Sequence, residues 1–202
     1  MADETDDVLQ RLRGGDDAVL GELFSRYQPM LRKMVRLRLD PRLTRRVDDS
    51  DIVQDIYINA ARRLSHFREH PEMPFAVWMR LIAGQTLLDL HRQHLAAQRR
   101  DVTHEMSIHG QRYPAVSSFC LASQLVGDLT SPSQAARRDE TRAAVQAALE
   151  QLEPIDREIL ALRHFEELGN REVAELLGLQ KAAASNRYVR ALQRLKGLLK
   201  DD

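Results

Sequence analysis

The sequence has one cysteine, Cys120, in 202 residues. No internal disulfide can form, a zinc site built from thiolates is excluded, and such usage suits a reducing cytoplasm. Nine glycines, seven prolines and 5% aromatics are little material for a β-sandwich, so long helices are expected. No apolar run approaches the roughly 18 residues of a membrane span. The acidic start, MADETDDVLQ, lacks the apolar stretch of a secretory leader. Nothing repeats at a solenoid period. Net charge is absent as well, because 30 Lys and Arg balance 30 Asp and Glu. Acid is missing in one place in particular. From Lys181 to Lys200 the chain carries Lys181, Arg187, Arg190, Arg194, Lys196 and Lys200 and no carboxylate. In a chain of zero net charge this segregation calls for a local polyanionic partner.

What is present, 43% hydrophobic and 30% charged residues, suffices for packed cores on a soluble surface. The apolar spacing predicts two helical blocks and a polar join. In the first block Thr5 is expected to cap a short helix carrying Val8, Leu9 and Leu12, which Gly14 and Gly15 stop. The next helix carries Leu20, Leu23, Phe24, Leu31, Met34 and Val35, with a kink or break expected at Pro29. Ser50 or Asp51 is then expected to cap an amphipathic helix. It buries Ile52, Val53, Ile56, Ala60 and Leu64 and shows Asp51, Gln54, Asp55, Arg62 and Arg63 outward. After a proline-punctuated loop (His66 to Pro74), a further helix starts at Phe75 and turns basic near Arg92, Arg99 and Arg100. Residues 101–133 mix Ser, Thr, Gly, Pro and His without a period and read as a flexible linker, save for an apolar patch from Phe119 to Val126.

In the second block Ser131 or Ser133 caps a helix through Val145, Leu149 and Leu152. Pro154 suits the first turn of the next. Asn170 is expected to cap a short helix that ends at Gly178, a residue suited to a left-handed turn, and a long basic helix follows. Helix, turn, helix is the geometry that lays the second helix in a DNA major groove with its first residues on base edges. Those residues are Lys181, Ser185 and Asn186. Arg187, Arg190 and Arg194, spaced i, i+3 and i+7, would track phosphates.

Two separated segments now resemble one family. GDDAVLGELFSRYQP (Gly15 to Pro29), DIVQDIYINAARRLSHF (Asp51 to Phe67) and FAVWMRLIAGQTLLDLHR (Phe75 to Arg92) in the first block fit it. So do LEQLEPIDREILALRHFEELGNREVAELLG (Leu149 to Gly178) and RYVRALQRL (Arg187 to Leu195) in the second. Together they are similar to the extracytoplasmic-function (group IV) sigma factors of bacterial RNA polymerase, in the sigma-70 superfamily. The resemblance implies an all-α fold of two small helical domains: region 2-like over residues 1–100 and a region 4-like helix-turn-helix over 134–202. It implies core RNA polymerase, through its clamp and flap, and promoter DNA as partners, and it leaves an anti-sigma protein open as a third. Asp51, Gln54 and Asp55 would meet the clamp. The −10 element would be opened against Phe67, Arg68 and Trp78, with Gln85 at a base edge and Arg80, Arg92, Arg99 and Arg100 on phosphates. A flipped base costs a few kcal/mol of unstacking, which a pocket must offset. Phe75 and Trp78 equally suit a core. The recognition helix departs from the family, with Gln180 to Ser185 replacing its usual Gly-Thr-Val-Lys pattern, so the resemblance does not set the preferred −35 sequence.

Catalysis finds no support. His66/His70 and His91/His94 have helical spacing but no intervening carboxylate of the zinc-hydrolase kind, and no glycine-rich phosphate loop exists. No metal or cofactor is expected, and the chain reads as a cytoplasmic non-enzyme. Two other classes stay open on residues alone. One is a dimeric regulator that binds duplex promoter DNA unaided. The other is an enzyme with a DNA-tethering tail.

Overall fold

The computed structural model describes residues 2–44, 46–95, 105–108, 111–127 and 135–200. The first block comprises α1 (Ala2–Arg13), a 3-10 turn (Asp17–Val19), α2 (Leu20–Arg38), α3 (Asp49–Arg62), α4 (Leu64–Glu69) and α5 (Phe75–Leu95). The join holds an antiparallel hairpin, β1 (Glu105–Ile108) with β2 (Gln111–Pro114), and α6 (Ser118–Gly127). The second block comprises α7 (Ala135–Glu150), α8 (Pro154–His164), α9 (Asn170–Leu176) and α10 (Lys181–Leu198). The all-α, two-block architecture is as expected. The join is more structured than its composition indicated, and its apolar patch forms most of α6.

Several local expectations shift by a residue or change form. Helix α2 runs unbroken through Pro29. A proline inside a helix costs about 3 kcal/mol. Here Leu20, Leu23, Phe24, Leu31, Met34 and Val35 are all buried along the same helix, at about 1.5–3 kcal/mol per large side chain, and this offsets the cost. The cap of α3 is Asp48, whose carboxylate accepts from Ser50 N at 2.8 Å, and Ser50 and Asp51 fall in the first turn. Pro154 opens α8 and Gly178 takes φ +64°, both as read. Ser131 and Ser133, the expected caps of α7, lie outside the described residues, and Thr5, the expected cap of α1, lies inside it.

Helix α5 is apolar on nearly every side and is buried accordingly, with Val77, Trp78, Met79, Ala83 and Leu87 at its centre. Phe67, Phe75 and Trp78 form a ring cluster with centroids 5.0 to 5.6 Å apart. The join packs onto the first block through Tyr113, whose ring covers Gly84 and whose hydroxyl lies 3.2 Å from Met34 Sδ. Burial pushes that phenol's pKa up. Ser117 N donates to Leu37 O at 3.0 Å, and α6 fills the space between α2 and α7.

The two blocks share buried surface. Ile159, Leu162, Leu168, Val173 and Leu176 of the second belong to the continuous core of the first. At their junction four fully buried ionisable side chains meet. Arg38 of α2 bonds both Glu158 of α8 and Glu166 of the α8–α9 turn. Arg80 of α5 donates from Nε to Glu166 Oε2 at 3.0 Å. Burial opposes the charge on Glu166, but Arg38 and Arg80 outweigh it and leave this carboxyl below its ordinary range. Burial prevails at Glu158, whose pKa is raised despite Arg38. Val116 N of the join also donates to Glu158 at 3.3 Å.

At Gly84 an added methyl group would overlap the Tyr113 ring. Gly84→Ala is expected to lower stability by about 1–3 kcal/mol, as overpacking does. A urea-unfolding midpoint equal to that of the parent chain would show that Tyr113 does not occupy this position.

Candidate nucleic-acid interface

The helix-turn-helix is built from local bonds. Gly169, not Asn170, caps α9, and its N–H donates to Glu172 Oε2 at 2.8 Å. Asn170 instead reaches across the turn and donates from Nδ2 to Lys181 O at 2.8 Å, tying the start of α9 to the start of α10. Leu179 N bonds Ala174 O at 2.8 Å, and Gly178 supplies the left-handed turn that reverses the chain. Helix α10 packs on the block through the small buried Ala184 and Ala191, which permit close approach to α8. Tyr188 OH lies 2.9 Å from His164 Nε2, and Arg163 stacks over the Tyr188 ring.

That packing decides which cations face outward. Lys181, Ser185, Asn186, Arg190 and Arg194 are exposed, with Ala182 and Val189 on the same open surface. Arg187 is not free. It bonds Glu153 at 2.8 Å and Asp156 at 2.7 Å, both at the start of α8. Hydrogen bonding to Arg187 holds the Glu153 carboxyl below its ordinary pKa. The expected three-arginine phosphate track is therefore cut to Arg190 and Arg194, because Arg187 lies on the stripe of buried Ala184 and Ala191 and meets the carboxylates at the start of α8.

In the first block Asp51, Gln54 and Asp55 are exposed on α3 beside Tyr57 and Ile58, a polar face with an apolar centre. The expected −10 set divides. Phe67 and Trp78 are buried in the ring cluster, so they cannot stack on bases as exposed platforms. Arg80 is wholly buried on Glu166, so its guanidinium is withdrawn from phosphates. Arg68 donates to Leu12 O at 3.0 Å and pairs with Asp17. Gln85 donates to Asp89 Oδ1 at 2.9 Å, and exposed Arg92 stands 3.5 Å from the same carboxylate. Arg99 and Arg100 lie outside the described residues.

A shallow cavity of about 340 Å³ opens beside the ring cluster, lined by Arg62, Arg63, Ser65, His66, Trp78, Leu81 and Ile82. Its floor is apolar and its rim carries two exposed arginines. The alternation of α3 marked Arg62 and Arg63 as outward, but nothing in the sequence placed them over Trp78. His66 and His70 stack at 4.3 Å between centroids, and no three metal-ligating side chains converge among the described residues. Cys120 is half-buried with its thiol pKa pushed up by burial. No helix among the described residues is long and apolar enough to cross a membrane.

Comparison with known proteins adds an independent finding. The family model of Sigma-70 region 2 matches residues 23–96, and that of Sigma-70, region 4 matches residues 142–195. RNA polymerase sigma-H factor of Pseudomonas aeruginosa is 28% identical over 190 residues, covering 91% of this chain and 88% of its own. RNA polymerase sigma factor CnrH of Cupriavidus metallidurans is 27% identical over 93% of this chain and 90% of its own. The ECF RNA polymerase sigma factor SigD of Mycobacterium tuberculosis is 26% identical over 97% of this chain and 84% of its own. The solved structure of CnrH in complex with the cytosolic domain of CnrY shares the fold, with a TM-score of 0.56 at 22% identity over 96% of both chains.

Arg187→Ala is expected to lower stability in urea unfolding by about 1–2 kcal/mol, because it leaves the buried Asp156 carboxylate without its donor. Arg190→Ala, on the open face, is expected to stay within about 0.5 kcal/mol of the parent chain. Equal losses from the two would contradict this division of roles.

Proposed function

The chain belongs to the sigma-70 family, in its extracytoplasmic-function group, and on that premise we propose that it directs core RNA polymerase to a set of promoters and starts transcription there. It is an alternative sigma factor, not an enzyme, and it acts in the cytoplasm beside the polymerase. Residues 1–100 form the region 2-like domain, residues 134–202 the region 4-like domain, and residues 101–133 connect them. What supports the reading is that both sigma regions match, in order, on the two helical blocks, and that each block leaves a suitable partner face open.

On α3, Asp51, Gln54 and Asp55 present acceptors to a basic helix of the clamp, with Tyr57 and Ile58 as the apolar centre that interfaces favour. On α10, Lys181, Ser185 and Asn186 face base edges of the −35 element, and Arg190 and Arg194 hold flanking phosphates. Arg187 positions α10 on α8. The cavity over Trp78 receives an unstacked base of the −10 strand, with Arg62 and Arg63 on its backbone. Gln85 and Arg92 extend that track, with Arg99 and Arg100 following. Trp78 and Phe67 serve as the floor and wall of this site, not as exposed stacking rings. An anti-sigma factor is the third proposed partner, one that withholds the chain from polymerase.

The test is run-off transcription with purified core enzyme and a promoter library, paired with core-binding measurements. Gln54→Ala combined with Asp55→Ala is expected to weaken core binding at least tenfold, about 1.4 kcal/mol. The parent chain is expected to grip duplex promoter DNA only in company with core. Tight unaided binding to intact duplex, with no affinity for core, would overturn the proposal.

A further inference from the structure

The loop from His70 to Pro74, which joins α4 to α5, has little means of holding itself. Pro71 and Pro74 lack an N–H, so its amide donors are those of His70, Glu72 and Met73 alone. Met73 N bonds His70 O at 3.0 Å inside the loop. The carbonyls of Pro71 and Met73 are met from another part of the chain. Arg13, the last residue of α1, donates from Nη1 to Pro71 O and from Nη2 to Met73 O, the second at 3.1 Å. The same guanidinium lies over the Phe67 ring, 4.8 Å from its centroid. A return contact runs the other way. Arg68 of α4 donates from Nε to Leu12 O at 3.0 Å and pairs with Asp17. Each arginine thus crosses from its own helix to the far side of the contact.

A cation in the last turn of a helix complements the helix dipole, and that is the ordinary use of such a residue. The dipole needs no partner, however, and Arg13 directs its fork at carbonyls 58 and 60 residues further along. Both of its contacts lead to one place. Phe67 lies against Trp78 with ring centroids 5.0 Å apart, and Trp78 floors the cavity rimmed by Arg62 and Arg63. Met73 immediately precedes Pro74, whose carbonyl accepts the first-turn bond of α5 from Trp78 N at 3.0 Å. Arg13 therefore holds the ring behind the cavity floor and also the chain that leads into the helix bearing that floor.

We propose that Arg13 is a positioning residue of the −10 pocket: its guanidinium pins the 70–74 loop and the Phe67 ring, and so keeps the cavity over Trp78 in the shape that selects a base. The selective role rests on the sigma-factor reading, whereas the pinning does not. Arg13 acts through Phe67 and the loop, not on the DNA itself. A site whose supporting shell is loose stays folded but discriminates poorly, because its walls no longer hold one geometry. Lysine cannot stand in for this arginine. One ammonium group does not reach two carbonyls while covering a ring, as a planar fork does.

The test compares the full-length chain with Arg13→Met, which keeps apolar cover on Phe67 but has no donors, and with Arg13→Lys. Run-off transcription with core enzyme is measured on promoters substituted singly across the −10 and −35 elements. A wrong base pair costs about tenfold or more, and Arg13→Met is expected to narrow that span about fivefold at −10 and to leave it unchanged at −35. The span is a ratio, so a smaller folded fraction alone does not move it. Hydrogen exchange in the free chain needs no polymerase. The Met73 amide is expected to exchange about tenfold faster in Arg13→Met, while buried α5 amides such as that of Ala83 keep the parental rate. Arg13→Lys is expected to resemble Arg13→Met in both measurements. Parental −10 discrimination or parental Met73 exchange in Arg13→Met overturns the proposal, and so does parental behaviour of Arg13→Lys. If Arg13→Met does not fold, Arg13→Lys decides by the same two measurements. A parent chain that gives no transcript with core defeats the sigma reading, and Met73 exchange then still decides the pinning.

Discussion

The contact between two arginines of the first block and two glutamates of the second organises this molecule. Without it, a buried cation would end α2 and another would interrupt the apolar face of α5, and α8 and its following turn would carry buried acids. Paired, the four groups set the register in which Ile159, Leu162, Leu168, Val173 and Leu176 complete the first block's core. The join follows from the same point. Tyr113 fits the hollow over Gly84 beside Arg38, and α6 then lies in the space left between α2 and α7.

The proposed function uses the surfaces that this packing leaves uncovered. The acidic and amide groups of α3, the N-terminal face of α10 and the cavity over Trp78 all remain open. What the packing uses is equally informative. Arg80 and Arg187 have the charge for phosphates, yet both are committed to carboxylates of their own chain. Arg187 ties α10 to the start of α8, and Arg80 fastens one block to the other. A count of basic residues would have assigned all of them to DNA.

Helical periodicity made the two blocks, the helix-turn-helix and the open face of α3 legible in the sequence. Pro154 and Gly178 marked their positions because their backbone preferences are local. The caps of α3 and α9 were read within a residue or two, since Asp48 and Gly169 compete with neighbours such as Ser50 and Asn170. Pro29 misled, because tertiary burial along α2 outweighed its local cost. The hairpin and α6 were hidden for a different reason: their stability comes from the blocks they dock on, and no period records that. The charge cluster did leave a trace. Arg38 continues the stripe of Leu31, Met34 and Val35, and Glu158 falls between Ile155 and Leu162 on the buried side of α8. Charges of opposite sign at core positions in separate segments are a signal of pairing, one that periodicity alone passes over.

The central claim is that the free chain folds as one body around that cluster. Trp78 is its single tryptophan and lies in the first block, so its fluorescence reports that block alone, while far-UV circular dichroism sums the helices of both. Equilibrium urea unfolding followed by the two signals is predicted to give one coincident transition. A tryptophan transition separated from the loss of helix would show two independent domains and contradict the account.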